Sequence, residues 1–277
     1  GVGAQTLAQY HRFSQGVEAA QAQQRFAIPA FKTAWGPRHQ ALDAVTFAAW
    51  LESQGLDDPY LLWYLDYCCR DDYGAGIATV SAWAGIHYFA SRHGFTVPGL
   101  GPAEHDGGIL TWPDGNATLT RALLSGLGDR VHTASSVLRV RVLRHGVEVD
   151  VLNHHTATVV RWQAQHCILA LPVHIAARVV DSPPAALQAA AQRVSHAPWT
   201  VTNLHLHTPL HDRPGAAPAW DNVIYTPLRV GGTGLGYVDA RHQSLDPRPG
   251  PTVLTHYRAL GGNAPTLRAA RHHLLTQ

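Results

Sequence analysis

Apolar and polar positions follow a helical rhythm through the first part of the chain and a two-residue rhythm through much of the rest. Residues 5–25 place Leu7, Tyr10 and Val17 on one weakly apolar helical face, with Gly16 the only glycine in the stretch. Residues 28–37 predict a loop in which Phe31 and Trp35 are expected to be anchored. Thr46 can cap a helix over 46–54, where Phe47, Trp50 and Leu51 share a face and Gly55 ends it. Asp58-Pro59 is a second start, an acceptor followed by proline at the first helical position, for a helix to about residue 70. Residues 71–76 predict a turn. A third helix is expected over 77–92, carrying Trp83, Ile86, His87, Tyr88 and Phe89, with Gly94 closing it.

The stretch 111–172 has the richest order of signals. Thr111-Trp112-Pro113-Asp114-Gly115-Asn116 reads as a tight turn, followed by a helix over 117–127 closed by Gly128. Alternating residues then predict a β-meander, with a hairpin of 137–143 and 147–151 turning at His145-Gly146. Ile168-Leu169-Ala170-Leu171 is short and wholly apolar, as a buried central strand would be, and Pro172 ends it. Beyond it come a helix over 183–194, strands over 200–207, 221–226, 235–239 and 252–257, and a helix over 265–275. Helices first and antiparallel strands later predict an α+β fold.

Composition bounds this picture without deciding it. The 277 residues suit one large domain or two smaller ones, and a 45% hydrophobic fraction can fill a substantial core. A net charge of +2 offers no electrostatic case for nucleic acid. No run of about 18 apolar residues predicts a membrane span. Methionine is absent and the chain opens Gly1-Val2-Gly3, so Gly1 is not expected to be a translational start. Cys68, Cys69 and Cys167 fit no zinc spacing and are expected to be buried or idle thiols.

Several local patterns also admit plainer roles. The cluster Gly231-Gly232-Thr233-Gly234-Leu235-Gly236 precedes a strand-like segment, whereas a phosphate loop needs a strand before it and a helix after it. It therefore predicts a loop between strands, and no G-x-G-x-x-G or Walker motif occurs. His205, His207 and His211 form H-x-H-x3-H, with the first two on one strand face and Asp212 beside the third. Among 19 histidines such a group arises readily by chance, and no native metal is assigned, although a His-rich metal-binding module stays open as an alternative. No G-x-S-x-G elbow anchors a hydrolase triad. Asp71 and Asp72 beside Arg70 are expected to close a helix and pair locally. Trp83 to Phe89 either pack a core or line a ligand channel, with His87 as the polar exception.

The order of parts resembles the flavin-containing amine oxidoreductases, the monoamine and polyamine oxidase superfamily. Gly115-Asn116 before a helix, Gly128-Asp129-Arg130-Val131 entering a meander, and Ala170-Leu171-Pro172 after an apolar run match that family's sequence of motifs. Thr46-Phe47-Ala48-Ala49-Trp50-Leu51, Tyr67 to Gly74, Trp83, His87-Tyr88 and Trp220 to Tyr225 are similar to a bacterial branch near spermidine dehydrogenase, which is often exported to the periplasm. The resemblance implies FAD as cofactor and a small-molecule amine as substrate, with hydride passing from an amine carbon to flavin and the imine hydrolysing in water. It implies cofactor contacts at Gly115, Asn116, Val137, Leu171 and Pro172, with the Val137 backbone at the adenine, and substrate contacts at Trp83, His87, Tyr88 and Trp112. Asn203 stands where many members have a lysine tied to reaction with oxygen, which leans toward a dehydrogenase. Asn203 and His87 are the candidates for chemistry. On this resemblance residues 1–105 form a helical substrate-cavity part, 106–180 an FAD-contacting segment, and 181–277 the strands of a substrate-binding sheet. The family's glycine motif and closing FAD segment are not in the sequence. The chain is therefore expected to be a fragment that needs the rest of its polypeptide, colourless and inactive alone. A desaturase or porphyrinogen-type flavoenzyme is the alternative within the same fold.

Overall fold

The computed structural model describes residues 3–92, 94–97, 111–210, 219–225, 234–244, 246 and 248–261. Chain contacts divide it into two units, Gly1–Pro113 with Ala197–Gln277, and Asp114–His196.

The first unit is built on α1 (Ala4–Gln23), α2 (Pro37–Asp43), α3 (Phe47–Ser53), α4 (Pro59–Tyr73) and α5 (Ala82–Ala90). Thr6, Gln9, Tyr10, Phe13 and Val17 form the buried stripe of α1. Phe13 is the centre of the core: its ring lies edge-on to Phe95 at 4.9 Å and to Phe89 at 5.4 Å. Thr6 and Gln9 are buried because they meet the start of α4. Gln9 Oε1 accepts from the Asp57 and Asp58 amides at 2.8 Å, and the Thr6 hydroxyl donates to Asp58 Oδ2 at 2.7 Å. Asp58 Oδ1 in turn accepts from the Tyr60 and Leu61 amides at 3.0 Å, the helix cap expected of it. Thr46 caps α3 through the Ala49 amide, as its sequence position suggested.

The same unit carries an antiparallel sheet in the order β4-β7-β6-β5, formed by β4 (Trp199–Leu206), β5 (Asp221–Asn222), β6 (Gly234–Asp239) and β7 (Thr252–Ala259). α4 ends on this sheet. Gly74 closes the helix with left-handed backbone, φ 70°, and its carbonyl accepts from the Gly261 amide at 3.0 Å, just past β7.

The second unit joins α6 (Ala117–Leu124) to a three-stranded antiparallel meander of β1 (Ser135–Leu143), β2 (Gly146–Asn153) and β3 (Thr158–Ala164), then α7 (Val173–Val179) and α8 (Ala185–Arg193). Val140, Ala176 and Val180 are its buried residues. The β1–α7 contact is tied by the Asp181 amide donating to the Val140 carbonyl at 2.8 Å.

Four expectations are corrected. Residues 168–171 form no strand: Ile168 is 93% exposed, and no described strand lies beside the segment. A central strand owes its burial to neighbours on both edges, which an apolar run cannot supply for itself. Pro172 does not end a strand but precedes α7. Phe31 is 83% exposed rather than anchored, and Trp35 is half exposed, although it stacks on His39. The third helix begins at Ala82, not near 77, because Ser81 is its cap and residues 76–80 turn back against α3. Smaller shifts end α6 at Leu124 and extend α4 to Tyr73. The expected helix over 265–275 lies outside the described residues, as do Gly231 to Thr233, while Gly234 onward is the strand β6.

Candidate functional site

One face of α4 is aromatic and ends in acid. Tyr60, Trp63, Tyr67 and Asp71 recur at helical spacing, so their side chains line up along the helix. Opposite them lies the segment that contains β5. Tyr225 stacks on Tyr60 with ring centroids at 5.1 Å and meets Trp63 edge-on at 5.0 Å, and Trp63 stacks on Tyr67 at 5.8 Å. Asp71 and Asp221 stand at the Tyr67 end. Burial pushes the Tyr67 hydroxyl up to about 12, and the charges of Asp71 and Asp221 add to the rise. Burial is also the main cause of a raised Asp71, followed by the charge of Asp221, then that of Asp72, with Arg92 opposing. Burial alone raises Asp221. Both carboxylates remain reachable by solvent. The result is a row of π faces leading to two carboxylates that repel each other, an arrangement suited to an organic cation.

The neighbouring charges are committed elsewhere. Asp72 pairs with Arg92 at 2.9 Å, and Asp66 with Arg70 at 2.5 Å while accepting from the Ile77 amide. Asp72 thus pairs 20 residues away rather than with the adjacent Arg70, against the local pairing expected of the acidic cluster, and Asp71 has no ion pair among the described residues.

The sequence-derived substrate residues occupy other places. Trp83 and His87 lie in a second aromatic group, with ring centroids 4.7 Å apart, joined by Phe26 and Trp35. His87 Nε2 is within 3.0 Å of the Ala27 carbonyl, so this buried histidine is hydrogen-bonded. Trp83 Nε1 is buried without a hydrogen-bond partner among the described residues. Tyr88 packs under the Arg92 guanidinium at 4.6 Å, and burial, followed by the Cys68 thiol, raises its pKa strongly. Trp112 is half-buried and makes none of the ring contacts described here. Cys68 is pushed up to about 12 and Cys69 is raised further, mainly by burial, so both stay protonated and unreactive.

Asn203 lies on β4, opposite Thr255 of β7, whose hydroxyl donates to its Oδ1 at 2.9 Å. His205 is exposed on the same strand and His207 follows it, while His211 and Asp212 fall outside the described residues. No metal-binding group is formed among the described residues.

In the second unit, Gly115 takes left-handed backbone, φ 56°, immediately before α6, whose first turn has no side-chain cap. At Val137 the β1–β2 register shifts: Val137 faces Val151 and Arg139 faces Asp150, leaving Leu138 outside the ladder. Leu171 and Pro172 lie in the irregular segment before α7, with Pro172 exposed.

Sequence reasoning missed Trp63, Tyr67, Asp221 and Tyr225 as partners. The spacing of Tyr60, Trp63, Tyr67 and Asp71 was the available signal for half of this arrangement; nothing local announces its other half.

Comparison with known proteins agrees with this architecture. Solved structures of putrescine oxidase superpose with a TM-score of 0.63 for the wild type bound to putrescine, at 18% identity, and 0.64 for a cofactor-site triple mutant, at 17%. Each covers 93% of this chain and 53% of the oxidase. The L-amino acid dehydrogenase of Synechocystis sp. is 27% identical over 148 residues, which is 53% of this chain and 29% of the dehydrogenase. The chain thus spans about half the length, or less, of the proteins it matches. The family model described as flavin containing amine oxidoreductase matches residues 14–268, and the chain belongs to that family.

Proposed function

We propose that this chain is the amine-binding part of an FAD-dependent oxidoreductase and that its substrate's cationic nitrogen enters a recess between α4 and the β5 segment. The observation that carries this is the row Tyr60, Trp63, Tyr67 and Asp71 facing Tyr225 and Asp221. The aromatic faces attract an ammonium group and sort for alkyl chains. The two carboxylates hold the charge. An ammonium between them offsets the burial and the Asp221 repulsion that raise Asp71, so its binding and carboxylate ionisation reinforce each other. Trp83, His87, Tyr88 and Trp112 remain proposed contacts for the rest of the substrate.

The residues of the second unit fit part of FAD. The bulge at Leu138 sets that residue outside the ladder beside Val137, whose backbone would meet the adenine. Gly115 and Asn116 offer the uncapped amides of α6, and Leu171 and Pro172 would border the flavin. FAD, when bound, supplies the hydride acceptor. The sequence contains no G-x-G-x-x-G for the pyrophosphate, and tight flavin binding is assigned to the larger polypeptide. Exposed apolar residues such as Leu123 and Ile168 support further protein covering this unit. Asn203 in place of lysine favours electron transfer to an acceptor other than oxygen.

The test is kinetic, on the flavin-loaded full-length protein. Asp71→Asn and Asp221→Asn should each raise KM for an amine about 10–100-fold, the worth of a charge-assisted contact. An unchanged KM in both variants would remove the recess from substrate binding.

A further inference from the structure

The loop that leaves α1 holds apolar side chains out into solvent on a braced frame. Its neck is closed by His39, which is buried, accepts from the Gly36 amide at Nδ1 (3.2 Å) and therefore donates from Nε2 to the Arg25 carbonyl (3.2 Å). Inside the neck, the Ala27 amide donates to the Thr33 hydroxyl at 3.2 Å. A 3-10 turn over Ala30–Lys32 is completed by the Lys32 amide on the Pro29 carbonyl (3.0 Å) and the Thr33 amide on the Ala30 carbonyl (2.9 Å). With the backbone tied down, Ile28 is 55% and Phe31 83% exposed, and Trp35, stacked on His39, still shows half its surface. Exposure of these side chains is set by the frame of hydrogen bonds around them.

Charge surrounds this apolar tip on one side of the scale only. Arg25, Lys32 and Arg38 flank it and are exposed, and none is in an ion pair among the described residues. No acidic residue occurs between Glu18 and Asp43. Lys32, the only lysine of the chain, sits beside Phe31.

We propose that the loop 25–38 is a docking surface for an anionic lipid bilayer, with Phe31 and Ile28 entering the interface, Trp35 at headgroup level and Arg25, Lys32 and Arg38 on the lipid phosphates. Apolar wedge, interfacial aromatic and unopposed basic ring are the combination that peripheral binding requires, since neither one apolar contact nor a few charges suffices alone. No helix of the described residues is long and apolar enough to cross a membrane, so the attachment is superficial and reversible.

The test is co-sedimentation of the flavin-loaded full-length protein with phosphatidylcholine vesicles, with and without phosphatidylglycerol. Binding is expected only to the anionic vesicles and should fall with added salt. Phe31→Ser should weaken it about tenfold and Lys32→Gln about fivefold, with unchanged circular dichroism. No binding to anionic vesicles, or equal binding by Phe31→Ser, would overturn the proposal. So would sedimentation velocity showing a concentration-dependent dimer that Phe31→Ser abolishes, because the tip would then be covered by a second copy.

Discussion

Replacement of Gly74 by alanine should damage the fold at the point where α4 is fastened to the sheet. Two costs arise separately. Gly74 has φ 70°, and an L-residue in that conformation costs about 1–2 kcal/mol. A Cβ at this position would also collide with Ala197 and with the Trp199 indole, and forcing an extra carbon into a filled space costs about 1–3 kcal/mol. Gly94 provides the control. Its φ is 81°, yet a Cβ there meets nothing within 4 Å, so Gly94→Ala carries the backbone cost alone. At roughly 2–4 °C per kcal/mol, Gly74→Ala should lower the melting temperature by about 4–20 °C and Gly94→Ala by about 2–8 °C. Thermal unfolding followed by circular dichroism measures both. Equal shifts in the two variants would refute the packing of the α4 terminus on the start of β4.

Further outcomes can be measured in the same way. Asp58→Ala removes the α4 cap and strands the buried Thr6 hydroxyl, and should cost about 2–4 kcal/mol in urea unfolding. Asp71 has a folded pKa above its unfolded value, so its ionised form opposes folding; that cost is present above the folded pKa and is relieved as pH falls toward the unfolded one. Asp71→Asn should therefore stabilise the chain slightly at pH 7 and flatten stability against pH in the weakly acidic range, as pH-dependent melting would show. In the flavin-loaded parent, Asn203→Lys should raise peroxide formation relative to reduction of an artificial acceptor dye, read by a coupled peroxidase assay.

The local signals of the chain were legible in its sequence. Thr46 and Asp58 cap helices because their own next residues supply the amides, and the alternation around His145 needs only the facing strand to be read as a hairpin. The third helix reads as starting too early because Ile77 and Val80 carry apolar side chains that the 76–80 turn buries, which imitates a helical face. The apolar run 168–171 could not reveal whether strands would flank it. The candidate recess was half visible. The stripe of α4 is written in its spacing, but Asp221 and Tyr225 come from far along the chain, and their meeting with α4 depends on the sheet that Gly74 and Gly261 join to the helix. Thr6 and Gln9 show the same limit: polar residues on a buried stripe make sense only once the start of α4 lies against them.

The central claim is that the protein oxidises an amine whose cation is held by Asp71 and Asp221. Anaerobic titration of the flavin-loaded full-length protein with amines, followed through the visible flavin absorbance, tests it most directly. The account predicts bleaching by an amine at low concentration, and at concentrations about 10–100-fold higher in Asp71→Asn. A flavin that no amine bleaches, or that is bleached equally well in Asp71→Asn and Asp221→Asn, would contradict it.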